Sequence, residues 1–216
     1  MLFSAISFFL GLLVVGLLWW PARKDSQVRP FWVWVAAAWT VNWLGSLAWG
    51  IYELVTGKNL PLFSFIDAFY LGRYLLVWWA IWRFPKALSA RKFSSVIVTM
   101  AAAAVLAWII FKQSASTFEE PILYLFAVAT YPVLDAGMLY TLWMRSKREA
   151  GSDFAKPLVW FAYATLAYSV ANWINYLKLI EYAGNFSAVA SVLWLLCDVF
   201  VAVAAVTYLR SHRPAS

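Results

Sequence analysis

Histidine and cysteine are nearly missing from this chain, and each absence closes off chemistry. The only histidine is His212, in the C-terminal tail. No histidine pair exists to hold haem, chlorophyll or a metal centre, and no His-containing hydrolase triad can form inside an apolar span. The single cysteine, Cys197, stands within an apolar run, so neither an internal disulfide nor a cysteine-held cluster is possible. It reads as a small packing residue. Charge is scarce as well. Only 12% of residues are Asp, Glu, Lys or Arg, where a soluble domain carries roughly a quarter.

What the chain has instead is apolar and aromatic. Of 216 residues, 64% are hydrophobic, and 15 are tryptophan. A soluble fold of this length could not hide so much apolar surface, whereas a bilayer acts as the apolar solvent. Crossing the hydrocarbon core takes about 20 apolar residues in a helix. Seven stretches qualify: Leu2–Trp20, Phe31–Leu54, Leu62–Phe84, Phe93–Phe111, Ile122–Met144, Pro157–Ile180 and Ala188–Tyr208. These are continuous runs, not the alternating segments of a membrane barrel. The expected fold is all-α: one seven-helix transmembrane domain spanning residues 1–216. The first run lacks a basic start and a small-residue cleavage site, so it reads as a retained helix and not a secretory signal.

Orientation follows from the basic residues. The formal charge is +7, and most of the 17 Lys and Arg fall in alternate connections. Arg23, Lys24 and Arg29 lie in the first. Arg83, Lys86, Arg91 and Lys92 lie in the third, Arg145, Lys147, Arg148 and Lys156 in the fifth, and Arg210 and Arg213 in the tail. The other connections hold Lys58 and Lys112, with Lys178 near the end of the sixth span, beside Glu53, Glu119, Glu120 and Glu181. The positive-inside rule places the basic loops and the C-terminus in the cytoplasm and the N-terminus outside. Trp19, Trp20, Trp32, Trp34, Trp78, Trp79, Trp82, Trp143 and Trp160 cluster near the inner boundary, as an interfacial belt would. The expected location is a bacterial inner membrane, crossed several times. The charge is read as attraction to lipid headgroups, and nucleic acid is set aside as a partner.

Ionisable groups inside a span cost about 2.5–3.5 kcal/mol on insertion scales and normally face the bundle interior. The third span carries Asp67 and Arg73, the fifth Asp135 and the seventh Asp198. Helical spacing puts Asp67, Tyr70 and Tyr74 on one face, and Tyr131 with Asp135 on another. Ser191, Trp194, Asp198, Ala202 and Ala205 share a stripe on the seventh span, Trp39, Asn42, Ser46, Trp49 and Glu53 on the second, and Tyr168, Asn172, Asn175 and Tyr176 on the sixth. The fourth span is almost free of polar residues and is expected at the periphery. One reading is a polar, aromatic-lined cavity between the second, third, fifth, sixth and seventh helices. The plainer reading is that these groups bond one another and hold the bundle together. Arg73 stands six residues from Asp67, on a different face, and is expected to pair with Asp198 or Asp135 across helices. The middle of the seventh span has no lysine for a retinal Schiff base, and no cofactor is expected.

A weak internal echo links Asn42-Trp43, with Tyr52 ten residues on, to Asn172-Trp173, with Tyr182 ten residues on. Ile66-Asp67-Ala68 similarly resembles Leu134-Asp135-Ala136. The paired helices run in the same direction, so a duplication would be of the parallel kind.

The stretch Ile66-Asp67-Ala68-Phe69-Tyr70-Leu71-Gly72-Arg73-Tyr74 resembles a seven-helix region at the N-terminus of some bacterial diguanylate cyclases (GGDEF proteins) and related sensors. In those, Pro-Ser-x-x-Asp-x-x-Tyr-Leu-x-x-Tyr opens the third helix. Pro61, Ser64, Asp67, Tyr70, Leu71 and Tyr74 follow that pattern, and Tyr131-Pro132-Val133-Leu134-Asp135 is similar to the family's Tyr-Pro-Leu-Leu-Asp. Trp194-Leu195-Leu196 resembles its last helix. The sequence ends soon after the last span, so no cyclase domain is expected. The resemblance thus implies a sensory or ligand-binding bundle without cyclase activity. The expected function is a non-enzymatic membrane module that binds a small or lipid-like ligand, or a subunit of a larger membrane complex. Its expected partners are membrane lipids, other membrane subunits or a signalling protein. The alternative is a small transporter or intramembrane enzyme working through Asp67, Arg73, Asp135 and Asp198.

Overall fold

The computed structural model describes residues 2–24, 27–58, 64–84, 88–113, 115, 118, 121–152, 154–180 and 187–211, with side chains described except at 2–5, 90, 91 and 187. Leu62, Pro61, Lys86, Glu119, Glu120, Glu181, Tyr182, His212 and Arg213 lie outside the described residues, as does the side chain of Arg91. Among the described residues there are seven helices and no strand: α1 Leu2–Ala22, α2 Arg29–Thr56, α3 Asp67–Arg83, α4 Ala90–Phe111, α5 Pro121–Arg148, α6 Ala155–Leu179 and α7 Ser187–Ser211.

Local chemistry sets several of these boundaries. Pro30 occupies the first turn of α2, where no intrahelical N–H is needed. At the other end Gly57 takes a left-handed φ of 64° and sends its N–H to the Glu53 carbonyl. Helix α3 starts at Asp67 and not at Leu62. The Asp67 carboxylate reaches back to the Ser64 N–H at 2.8 Å, which is half of a capping box and marks a helix start.

Six helices close a ring. α1 packs on α2, α2 on α3, α3 on α5, α5 on α6, α6 on α7, and α7 returns to α1. Helix α4 stands outside this ring, chiefly against α5. Its apolar window is only 11% buried, in keeping with its lack of polar residues.

Three helices are long and apolar enough to cross a membrane: Lys92–Phe111 in α4, Pro121–Arg148 in α5 and Ala188–Ser211 in α7. Ile6–Ala22 of α1 is apolar but shorter. By length and composition, then, three of the expected seven spans qualify among the described residues. The physical reason is visible in α2, α3 and α6, of which α3 also has only 17 residues. They carry Asn42, Asp67, Arg73, Asn172, Asn175 and Lys178 among their tryptophans and tyrosines, which lowers their hydropathy. Those six residues all line the inside of the ring.

One half of the ring is filled. Val14, Leu18, Phe31, Trp32, Val35, Leu158, Phe161, Val201 and Tyr208 belong to one buried cluster. Phe31 meets Phe154 edge-on at 4.8 Å, and Trp32 lies 5.0 Å from Tyr208. The expected tryptophan belt is therefore incomplete. Trp32 is fully buried in this core, while Trp20, Trp79 and Trp143 are exposed. At the same end Arg145 of α5 is buried and donates to the carbonyls of Ile81 and Trp82. A cation thus sits on the last turn of α3, where the free carbonyls concentrate negative partial charge. Glu149 pairs with Arg145 at 3.2 Å.

Candidate functional site

The other half of the ring is open. A cavity of about 670 Å³ occupies it, lined from every ring helix and from Ser64, with no residue of α4. The lining comes from the N-terminal parts of α1, α3, α5 and α7 and the C-terminal parts of α2 and α6. The void therefore lies toward one end of the bundle, where Ser46, Trp49 and Lys178 are exposed at its margin. Trp39, Arg73 and Asp198 form its floor, above the packed half.

Of the polar residues singled out in the sequence, Asn42, Asp67, Tyr70, Arg73, Tyr131, Asn172, Asn175, Trp194 and Asp198 line this cavity. Tyr74 and Asp135 do not; they form a buried layer behind it. Tyr74 donates to one Asp135 oxygen at 2.7 Å, and the Asn172 amide donates to the other at 2.7 Å. Asn172 in turn accepts from the Trp194 indole at 3.3 Å. This network satisfies a carboxylate that is 0% exposed and couples α3, α5, α6 and α7.

Asp67 is held in a matching way. Its first oxygen accepts from the Tyr131 hydroxyl at 2.6 Å, its second from the Ser64 N–H. Helices α3 and α5 thus exchange two Tyr–Asp bridges, Asp67 with Tyr131 and Tyr74 with Asp135. The sequence reading placed these residues on separate faces; the two faces meet each other. That arrangement gives both aspartates a structural role in the bundle.

Arg73 does not form the expected ion pair. No carboxylate of the described residues stands within 4.0 Å of it. Asp135 is engaged by Tyr74 and Asn172, and Asp198 accepts from the Trp39 indole at 3.1 Å. Instead the guanidinium lies over three rings: Tyr168 at 3.8 Å, Tyr74 at 4.9 Å and Trp39 at 5.5 Å. Aromatic faces stabilise the charge without satisfying its N–H groups. The amide oxygen of Asn42, also on the cavity, is buried without a hydrogen-bond partner.

Trp39, Trp43, Trp49, Tyr168 and Lys178 also line the cavity. Helical spacing carries a signal for three of them. Trp39 and Trp49 share a helical stripe with Asn42, and Tyr168 stands one turn from Asn172. Trp43 is fixed by a bond from its indole to the Phe8 carbonyl at 3.1 Å, which ties α2 to α1. The lining contribution of α1, through Ser7 and Gly11, had no polar pattern to announce it.

No group of three His, Cys, Asp or Glu side chains among the described residues is arranged to hold a metal ion. No family model, curated protein or solved structure matches the chain.

Proposed function

We propose that this chain is a seven-span membrane module that binds a small or lipid-like ligand in its ring cavity, with the N-terminus outside and the C-terminus in the cytoplasm. The observation that carries the reading is the shape of the void. It is wide and aromatic at one end and closed at mid-depth by Trp39, Arg73 and Asp198, with a packed core beyond. A blind cavity suits capture and recognition. A continuous channel would need a second opening, and the core around Trp32 and Tyr208 fills that route. Transport by alternating access shows one opening at a time and is separated from capture by a flux measurement.

Membrane insertion of the whole ring is supported by its outer surface. Every helix exposes large apolar side chains, among them Phe9, Leu44, Leu75, Val98, Phe126, Leu166 and Val192. A surface of that kind suits lipid and not water. The orientation rests on the basic residues at the packed end, where Arg83 and Lys147 also lie over the rings of Trp79 and Trp143. In a bacterium this is the inner membrane. The resemblance to the membrane regions of diguanylate cyclases fits the same reading, in which a bound ligand is reported to a partner through the bundle.

Gentle detergent extraction followed by mass spectrometry tests the reading. A small molecule or lipid should co-purify near one per chain. It should be lost from Ser46→Trp, which fills the cavity from an exposed wall position. Solute flux through liposomes holding the purified protein would instead favour the transporter.

A further inference from the structure

We propose that the cavity floor binds a zwitterion of the amino-acid type, its carboxylate on Arg73 and its ammonium on Asp198. This deepens the ligand-binding reading above and rests on it. Arg73 is only 5% exposed, lines the cavity, and makes no hydrogen bond or ion pair among the described residues. Its neighbours there are the ring faces of Tyr168, Tyr74 and Trp39. These ring contacts leave its five N–H donors without an acceptor among the described residues, and the guanidinium borders the void. A planar fork there matches a carboxylate with two parallel bonds.

Asp198 is the complementary half. One oxygen accepts from the Trp39 indole. The other has no hydrogen-bond partner among the described residues, and the residue faces the same void. The two charges do not pair with each other, and Trp39 contacts both. Arg73 lies over the indole face, and Asp198 bonds its N–H edge. Opposite charges held apart at one floor are matched by a ligand that carries both.

The remaining charges near the void are placed differently. Asp67 has both oxygens bonded, to Tyr131 and Ser64. Asp135 is behind the wall and doubly bonded, and Lys178 sits at the exposed rim. A simple anion on Arg73 would leave Asp198 bare, and a simple amine on Asp198 would leave Arg73 bare. Above the floor, Trp43, Tyr70, Tyr131 and Trp194 offer an aromatic wall to an apolar side chain. The volume of 670 Å³ leaves room for a large one.

The test is a binding titration of the purified chain in nanodiscs with each of the twenty L-amino acids. At least one should bind. Its deaminated and its decarboxylated analogues should each bind at least about tenfold more weakly, since a charged hydrogen bond is lost. Arg73→Gln should erase the preference for the carboxylate and Asp198→Asn the preference for the ammonium. If Arg73→Gln does not fold, the analogue series on the unaltered chain and Asp198→Asn decide the matter. Failure of all twenty to bind, or equal binding of an amino acid and both analogues, overturns the proposal. A neutral or lipid ligand that co-purifies and is lost in Ser46→Trp, with no amino acid bound, keeps the cavity as a binding site and removes the zwitterion. Absence of both kinds of ligand removes both.

Discussion

In the half of the bundle near Arg29, Phe31 lies 4.8 Å from Phe154 and 5.7 Å from Phe161, and Trp32 lies 5.0 Å from Tyr208. In the other half Trp43, Trp49, Tyr70, Tyr131 and Trp194 surround a space of about 670 Å³. Both halves are built from the same helices and the same aromatic residue types. They differ in what stands between the rings. In the closed half, apolar side chains from facing helices interdigitate. In the open half, Asp67, Arg73, Asp135, Asn172 and Asp198 hold the helices through hydrogen bonds and ring contacts at their flanks, and the centre stays empty. Packing in one half fixes the ring so that the other half can keep a void.

That contrast makes graded claims about stability. The largest effect belongs to Trp32→Ala, which empties a fully buried site. Truncating a buried aromatic costs about 3–5 kcal/mol in soluble cores, and the packing share of that cost remains in a bilayer. Thermal unfolding in detergent should fall by many degrees. The matching change in the open half, Trp49→Ala, removes a ring that is 41% exposed and should cost under about 1 kcal/mol. Equal losses at the two tryptophans would break the comparison.

A middle effect is expected at Gly45, where α2 packs tightly on Phe69 of α3. A Cβ there would stand 2.8 Å from the Phe69 Cβ, which cannot rotate away. Gly45→Ala should therefore cost about 1–3 kcal/mol, the range for overpacking. An unchanged unfolding temperature would show that the helices are free to separate. The smallest effect is expected from Ser46→Trp. It should leave stability within about 0.5 kcal/mol while abolishing ligand retention, because it adds bulk to a void and not to the core.

Much of this layout was legible in the sequence. Seven apolar runs marked seven helices to within a few residues, except at the start of α3, where the bond from Ser64 to Asp67 fixes a later beginning. The peripheral place of α4 followed from its lack of polar residues. Nine of the polar residues singled out in the sequence line the cavity, since side chains costly in lipid turn inward whatever their role.

What stayed hidden was pairing between helices. Spacing along one helix says which side chains share a face, but not which face of another helix receives them. Asp67 and Tyr131 read as separate, yet bond at 2.6 Å. Arg73 was expected to seek a carboxylate and instead lies over the ring of Tyr168, while Asp135 is bonded on both oxygens and Asp198 on one. Trp32 looked interfacial from its position beside Arg29, but the ring closure with α6 and α7 buries it. The polar residues that line the cavity also lower the hydropathy of α2, α3 and α6, and α3 is short besides, so these helices do not stand out as the three apolar ones do.

The central claim is a cavity open to the outside and closed from within, and thiol accessibility tests it most directly. In a Cys197→Ala background, cysteine is placed at Ser46 on the cavity wall, or at Ala205, two turns below Asp198 in the packed half. A small, membrane-impermeant thiol reagent is then applied to intact cells and, separately, to inverted membrane vesicles. The cysteine at Ser46 should react in intact cells and stay protected in inverted vesicles, and the one at Ala205 should react in neither. Labelling at Ser46 from the cytoplasmic face, or at Ala205 from either face, would contradict the account.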